Sequence, residues 1–148
     1  MNIEWRFKSY DDLSKTEFHD IMIIRQEVFI VEQNCPYQDA DDKDKLSHHL
    51  LGYVKNELVA YLRLVNPGIS YKEMSFGRIV ITPNFRNKGL GKALMNEGIL
   101  QSNKLYGTNT NRISAQSHLV SFYEKFGFKS TGKEYLEDGI PHSEMLKD

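Results

Sequence analysis

The sequence predicts a single domain of mixed α/β class, and three observations carry this prediction. Short strand-like apolar runs occur near both ends and in the middle of the 148-residue chain. Two longer stretches, 18–29 and 90–105, place apolar residues at helical spacing. No repeat, low-complexity tract or long linker interrupts the chain, so residues 1–148 are expected to form one domain. This order of elements fits a sheet with helices packed against it.

The first half of the chain predicts a strand, a helix, an acidic loop and a hairpin. Trp5 and Phe7 alternate onto one face of the first strand. Ser14 and Glu17 have capping-box spacing, so a helix follows them, and it should end before Pro36 because proline disfavours continuation. The other predicted elements are a strand over 3–8, a solvated acidic loop over 39–45, and strands over 50–54 and 58–65 joined by a turn at 55–57.

The second half predicts alternating strands and helices. Gly127 is placed to close the last helix as a C-terminal glycine. Glu137-Asp138-Gly139 is typical of a turn between two final strands. The predicted elements are strands over 76–81, 112–115, 128–135 and 141–146, with helices over 90–105 and 118–126.

A basic turn between the middle strand and the next helix is predicted to bind phosphate. This glycine turn reads Arg86-Asn87-Lys88-Gly89-Leu90-Gly91. The first amides of a helix lack intrahelical partners, and an anion placed there gains roughly 0.3 to 2 kcal/mol. Arg86, Lys88 and Lys92 add charge that suits a ligand with more than one phosphate. A Walker A loop does not fit, because Ala93 stands where that motif needs Ser or Thr. A dinucleotide fingerprint is weakened, because Leu94 stands where that motif has its third Gly or Ala.

Composition excludes several classes of partner. With 19 basic and 20 acidic residues, the net charge of -1 predicts no nucleic-acid or membrane binding. No segment approaches the roughly 20 apolar residues of a membrane span. Cys35 is the only cysteine, so no disulfide can form within the chain, and a reducing, cytoplasmic location is expected. Cys35 itself is expected to be a packed free thiol.

No metal site is predicted. His48 and His49 are adjacent, and adjacent residues of a strand point in different directions. The aspartates of the acidic loop lack the glycine and terminal glutamate of a calcium-binding loop. Together with Glu137 and Asp138, that loop is either a negative mouth for a cationic substrate or a solubilising surface.

Two motifs resemble the core of the GNAT acetyltransferases: residues 79–94, IVITPNFRNKGLGKAL, and residues 121–128, SFYEKFGF. Residues 28–39 and 137–142 are similar to the ElaA-type branch of that family. The resemblance implies the GNAT acyl-CoA N-acyltransferase fold, a twisted mixed sheet of about six to seven strands flanked by about four helices. It also implies that the sheet splits as a V between its fourth and fifth strands and binds acetyl-CoA in the gap.

The resemblance assigns positions for the cofactor. Main-chain groups of Ile79, Val80 and Ile81 would face the thioester and the pantetheine arm. Gln116 stands where many relatives place an asparagine that contacts the same arm. The pyrophosphate would be held by the glycine turn and its neighbour, namely Arg86, Asn87, Lys88, Gly89, Leu90, Gly91 and Lys92.

Transfer of an acyl group to an amine requires three roles. An amide at Val80, freed by the strand bulge that the family carries, would stabilise the oxyanion. Tyr123, unless it is only a core aromatic, would donate a proton to the departing sulfur. The base that takes the ammonium proton is not singled out by spacing. Its candidates are Glu32, Glu73, Glu137, His142 and water, with Glu32 and His142 preferred.

The sequence therefore predicts an acetyl-CoA-dependent N-acetyltransferase acting on a primary amine in a ternary complex. The amine belongs to a small molecule, a peptide N-terminus or a protein lysine, and the family allows a homodimer. The alternative is a non-catalytic acyl-CoA-binding sensor or interaction module of the same fold.

Overall fold

The computed structural model describes residues 1–148 and contains seven strands in two sheets with three α-helices. The predicted mixed α/β class is confirmed. A π-helical segment, Gln26–Glu32, extends the first helix toward Pro36. In chain order the elements are β1 Glu4–Ser9, α1 Lys15–Arg25, β2 Ser47–Val54, β3 Glu57–Val65, β4 Ser75–Ile81, α2 Leu90–Tyr106, β5 Asn111–Gln116, α3 Val120–Glu124, β6 Lys129–Glu137 and β7 Ile140–Lys147.

The two sheets meet edge to edge at one point only. The first sheet has the order β1-β2-β3-β4 and the second has the order β5-β7-β6. An isolated parallel bridge joins Met74 to Asn111, where the Arg112 amide donates to the Met74 carbonyl at 3.1 Å. The Asn111 side chain adds a bond by accepting from the Phe76 amide at 3.2 Å. Beyond this bridge β4 and β5 do not pair, so the sheet opens as the predicted V toward their carboxyl ends.

Helix α1 covers one face of the first sheet. The predicted capping box is present, because Ser14 Oγ accepts from the Glu17 amide at 3.0 Å and a Glu17 oxygen accepts from the Ser14 amide at 2.9 Å. Ile21, Ile24 and Val28 are buried against strand residues of the same face. The π-helical continuation carries the chain to the open end of the V.

Helix α2 covers the opposite face. Leu94 and Met95 are buried in the larger of the two core clusters. Gly98 brings the helix close to the sheet, since a Cβ there would lie 3.2 Å from Leu62 and 3.3 Å from Phe76. This packing fixes the beginning of α2, and with it the glycine turn, beside the carboxyl end of β4.

Both predicted hairpins are confirmed. Lys55 and Asn56 join β2 to β3 with φ values of +49° and +66°. Asp138 and Gly139 join β6 to β7 with φ values of +51° and +77°. Two-residue turns of this hand match the twist of paired strands. The second turn places Glu137 and Asp138 at the wall of the V.

The acidic segment is not the solvated loop that the sequence predicted. Asp39 and Asp44 are buried, and both carboxylates accept hydrogen bonds from Arg25. Arg25 Nε donates to Asp39 at 2.7 Å, and Arg25 Nη1 donates to Asp44 at 2.7 Å. Arg63 also donates to Asp44, at 2.9 Å, and Arg78 donates to Asp39 at 2.7 Å. The physical reason is that Arg25 lies on the apolar face of α1, and a guanidinium buried there requires carboxylate partners.

Candidate active site

A cavity of about 760 Å³ occupies the opening between β4 and β5. Most of the residues that the sequence singled out lie in its wall, although they are far apart in the chain. They are Glu32, Ile79, Val80, Ile81, Arg86, Gly91, Gln116, Tyr123, Glu137 and His142. The other members of the predicted cofactor set do not line the cavity and lie in the neighbouring glycine turn or directly after it: Asn87, Lys88, Gly89, Leu90 and Lys92.

The glycine turn ends in a helix N-terminus that no side chain caps. Gly89 is the N-cap residue with a φ of +79°, a conformation that favours glycine. The first intrahelical bond runs from the Ala93 amide to the Gly89 carbonyl at 3.2 Å. The amides of Leu90, Gly91 and Lys92 therefore precede the helical bonding pattern and are available to an anion. A pyrophosphate fits this donor set by charge and by hydrogen-bonding capacity.

Arg86 and Glu32 were predicted to have separate roles, and the structure pairs them with each other. The Arg86 guanidinium donates through both terminal nitrogens to the Glu32 carboxylate, with Nη2 at 2.7 Å from Oε1. Its Nε donates to the Ile81 carbonyl at 3.1 Å. The hydrogen bond from Arg86 holds the pKa of Glu32 below its usual range, which makes this carboxylate a weaker proton acceptor.

Strand β4 carries the bulge that the family resemblance implied. Tyr61 pairs with Val80, but Arg63 pairs with Gly77, so β4 contains one more residue than β3 across this interval. Arg78 lies inside the bulge with a φ of +49°. The bulge interrupts the regular pairing beside the three residues predicted to face the thioester.

Tyr123 is a buried phenol in the cavity wall. Its ring packs against Phe122 and Phe128, with centroids 5.2 and 6.2 Å away. Burial raises the pKa of Tyr123 to about 12, and no charged group contributes to this shift. The hydroxyl is therefore a proton donor throughout the ordinary pH range.

His142 has an orientation that leaves one ring nitrogen available. Its Nδ1 donates to the Ile140 carbonyl at 2.7 Å, and because a carbonyl only accepts, the hydrogen of the neutral ring is on Nδ1. Its Nε2 then carries a lone pair and lies 3.4 Å from a Glu137 oxygen. The ring of Tyr135 stacks on the imidazole at 6.1 Å. His142 Nε2 and the Glu137 carboxylate are both hydrogen-bond acceptors, so at this distance they can share a proton or bind an ammonium group between them.

Two further predicted residues have clear positions. Gln116 ends β5 and is the register partner of His142, so both lie at the open end of the second sheet. Glu73 does not line the cavity and instead accepts from Arg112 at 3.0 and 3.1 Å. Glu73 is therefore removed from the candidates for the base.

Sequence reasoning missed the cationic side of the cavity. Arg63, Arg78 and Lys43 line it, yet none of these three belongs to a recognised motif. A usable signal was present, because Arg63 interrupts an apolar strand and Arg25 interrupts an apolar helix face. Charges inside apolar runs indicate buried ion pairs, and their acidic partners were the nearby aspartates.

The remaining features that the sequence singled out have no assigned role in this chemistry. His49 is buried with Nδ1 2.7 Å from the Tyr61 hydroxyl, whereas His48 Nδ1 lies 2.8 Å from Asn66, so the two rings point to different partners as predicted. Cys35 lines the cavity and is partly buried, and its sulfur lies 3.6 Å from the Asp138 carbonyl. No cluster of three or more potential metal ligands is present. None of the helices combines the length and hydrophobicity that crossing a bilayer requires.

A mixed sheet that opens between its fourth and fifth strands, beside an uncapped helix N-terminus, defines the acyl-CoA N-acyltransferase class of fold. The cavity lies in that opening.

Comparisons with known proteins give the family. Residues 11–148 match the family model described as acetyltransferase (GNAT) domain. A UPF0039 protein from Synechocystis is 42% identical over 147 residues, covering 99% of this chain and 96% of that protein. The structure of an acyl-CoA N-acyltransferase from Pseudomonas aeruginosa is 36% identical with a TM-score of 0.95, covering 99% of this chain and 100% of the other. Escherichia coli ElaA is 34% identical with a TM-score of 0.92 and the same coverage. The chain therefore belongs to the GNAT acetyltransferase family.

Proposed function

We propose that the protein is an N-acetyltransferase that transfers the acetyl group of acetyl-CoA to a primary amine within a ternary complex. The observation that carries the proposal is a single cleft with an uncapped helix N-terminus at its edge and a buried phenol and a histidine in its wall. Membership of the GNAT family supports it, as does the similarity to a Pseudomonas aeruginosa protein described as an acyl-CoA N-acyltransferase.

The glycine turn holds the pyrophosphate of the cofactor. The amides of Leu90, Gly91 and Lys92 donate to it, and the charges of Lys88 and Lys92 add attraction. Gln116, at the end of β5, donates its amide to the pantetheine arm. When bound, acetyl-CoA supplies the activated acetyl group.

Residues of β4 and α3 then act on the two ends of the bond that breaks. A β4 amide at the bulge, at Val80 or its neighbours, donates to the carbonyl oxygen as negative charge develops there. The amine nitrogen forms its bond to the carbonyl carbon, and the bond from that carbon to sulfur breaks. Tyr123 donates its proton to the sulfur, and the phenolate regains a proton from the amine nitrogen through water.

His142 is the base that takes a proton from the ammonium group before the neutral amine attacks, and the imidazolium then releases that proton to water. Its Nε2 carries the lone pair, and Glu137 lies 3.4 Å away to hold an ammonium group beside it. Glu32 has the different role of holding Arg86, and through it the Ile81 carbonyl, at the entrance to the glycine turn.

The acceptor is a cationic amine of a small molecule or a peptide. Glu137 and Asp138 give the wall of the cavity a negative character on the side of His142. The near-neutral net charge gives no footprint for nucleic acid. A cytoplasmic enzyme is consistent with a single free cysteine, and a homodimer is compatible with the family.

The decisive experiment measures free-thiol release from acetyl-CoA with a panel of amines, alongside calorimetry of CoA binding. The panel contains polyamines, amino acids, aromatic amines and a lysine-containing peptide. Release that depends on an amine, with the acetylated product found by mass spectrometry, supports the enzyme. Tight CoA binding without release for any amine supports the sensor. Absence of CoA binding refutes both.

A further inference from the structure

We propose that Arg78 is a positioning residue that holds the β4 bulge open by anchoring it to the buried carboxylate of Asp39. The inference rests on the proposed function, because the bulge matters if its amides serve the thioester. Arg78 belongs neither to the glycine turn nor to the proposed acid and base, Tyr123 and His142.

The backbone at Arg78 needs support from its surroundings. Its φ of +49° lies in the left-handed region, which a long side chain rarely adopts without a compensating contact. It occupies the position where β4 gains one residue over β3, between the pairs Tyr61–Val80 and Arg63–Gly77. A strand that lost this conformation would bring Ile79 into regular pairing with β3, as Val80 and Ile81 already are with Tyr61 and Ala60.

The side chain of Arg78 supplies that support. Its Nε donates to Asp39 Oδ1 at 2.7 Å, and its Nη2 donates to the Asp39 carbonyl at 3.2 Å. Asp39 is itself fixed, because Arg25 donates to its other carboxylate oxygen at 2.7 Å and to its carbonyl at 2.9 Å. Arg25 is completely buried and Asp39 is 5% exposed, so the anchor is part of the core.

The same anchor connects the bulge to Tyr37, a second residue of the cavity wall. The Tyr37 hydroxyl donates to Asp39 Oδ1 at 3.1 Å, and the Arg78 guanidinium lies 5.9 Å from the centre of the Tyr37 ring. Both Tyr37 and Arg78 line the cavity. The glycine turn starts after the end of β4 and makes no hydrogen bond to this group. Loss of the anchor should therefore affect the transfer step more than cofactor binding.

The test compares three substitutions of Arg78 with a matched control. Arg78→Ala removes the anchor and keeps the backbone restricted, whereas Arg78→Gly removes the anchor but adopts the left-handed conformation without strain. Arg78→Lys retains a charge that reaches Asp39. The control is Arg112→Ala on β5, because Arg112 also pairs with two carboxylates and is similarly exposed, but it lies outside the cavity.

We expect Arg78→Ala to lower kcat by at least about 10-fold while the acetyl-CoA KM changes by less than about threefold. The kcat of Arg78→Gly should fall less than that of Arg78→Ala. The kcat of Arg78→Lys should lie between the values for Arg78→Ala and wild type, and the kcat of Arg112→Ala should equal the wild-type value. Equal losses for the alanine and glycine variants, or no loss for alanine, would overturn the proposal. Equal losses would indicate that the guanidinium itself contacts a substrate.

A second readout separates this inference from the proposed function. The hydrogen-exchange rates of the Ile79 and Val80 amides report the bulge whether or not any amine is acetylated. We expect them to rise in Arg78→Ala, to rise less in Arg78→Lys, and to stay near wild-type values in Arg112→Ala. Unchanged exchange rates in Arg78→Ala refute the anchor even in an active enzyme. A wild-type protein that transfers no acetyl group refutes the function, and faster exchange in Arg78→Ala then still supports the anchor.

Discussion

At the scale of single residues, the chemistry depends on how each environment determines the protonation state of a side chain. Tyr123 is kept protonated by burial alone. His142 is kept in one tautomer by the Ile140 carbonyl, so its other nitrogen can accept. Glu32 is kept ionised by Arg86, which suits an ion pair better than a base. Glu32 and His142, the two preferred candidates for the base in the sequence, are therefore chemically different in the fold.

Tyr123→Phe should lower kcat by roughly 100-fold, since the sulfur loses its proton donor. The acetyl-CoA KM should change little, because the ring and its packing remain. A steady-state thiol-release assay measures both constants, with Tyr106→Phe as the control because Tyr106 lies on α2 outside the cavity. An unchanged kcat in Tyr123→Phe would exclude the acid role.

The pH dependence of the wild-type enzyme tests the same assignment. Because burial raises the pKa of Tyr123 to about 12, the proton that it donates is lost only as the pH rises to that value. The kcat should therefore show no decline between about pH 8 and 10, where an unperturbed phenol of pKa about 10 would begin to ionise. A kcat that falls by half near pH 9 would contradict the role of Tyr123.

His142→Gln should lower kcat/KM for the amine by about 100-fold near neutral pH. The deficit should shrink as the pH approaches the pKa of the acceptor, because an amine that is already neutral needs no base. The pH profiles of the two proteins, measured with one acceptor, provide the comparison. A deficit that is constant with pH would assign His142 to structure or binding instead.

At the scale of elements, the glycine turn and α2 form one device. Gly89 supplies the left-handed N-cap, and Gly98 brings α2 against the sheet so that the turn lies beside the open end of β4. The turn is therefore positioned by the packing of the helix that follows it. The local sequence gives the glycine turn its capacity to bind an anion, and the packing of α2 positions the bound anion at the cleft.

Gly89→Asp should weaken CoA binding by at least about 10-fold relative to Gly89→Asn. A Cβ at this position meets no other atom of the protein, so neither variant disturbs the packing. Asparagine has nearly the same shape and tolerates the left-handed conformation, so the pair isolates the effect of negative charge beside the phosphates. Calorimetry with CoA measures the difference, and equal affinities would remove the glycine turn from the cofactor site.

The capping box of α1 has a larger role than a helix end usually has. Glu17 is buried, which by itself would raise its pKa, but hydrogen bonds from Lys8, the Ser14 amide and Arg6 outweigh burial and lower the pKa of Glu17 to about 2. One carboxylate thus joins α1 to β1 as well as capping the helix.

Glu17→Gln should lower the free energy of unfolding at pH 7 by roughly 2 kcal/mol. Since the folded pKa is below the unfolded one, the stabilisation is complete above about pH 5 and is lost as the pH falls toward 2. The difference between the two proteins should therefore narrow in acid. Urea unfolding at several pH values tests this, with the exposed Glu27→Gln as the control.

At the scale of the whole molecule, two sheets share one cleft and one buried charge cluster. The single bridge at Met74 and Asn111 leaves the V open, so its walls are held by other contacts. The cluster around Arg25 joins α1, the acidic segment, β3 and β4 on one face. The cluster replaces part of an apolar core with paired charges, in which only Arg63 Nε lacks a hydrogen-bond partner. These ion pairs fix the acidic segment beside the cavity.

Arg25→Leu should destabilise the protein by about 3 to 5 kcal/mol, because it leaves buried carboxylates without one of their partners. Arg112→Ala, which breaks a partly exposed pair, should cost no more than about 1 kcal/mol. Urea unfolding followed by circular dichroism measures both. A loss below 1 kcal/mol for Arg25→Leu would show that the remaining arginines satisfy Asp39 and Asp44.

The sequence alone was sufficient for the order of elements, the α1 capping box, both hairpin turns and the glycine turn. Each of these depends on neighbours within a few positions, where periodicity, capping and turn chemistry act directly. Tertiary structure decided which carboxylates are buried, that Glu32 pairs with Arg86, and that Arg78 occupies a strained bulge fixed to Asp39. These contacts join residues that are 14 to 54 positions apart. A local sequence pattern does not determine which distant charged residues become neighbours, because burial and ion pairing depend on how the whole chain packs.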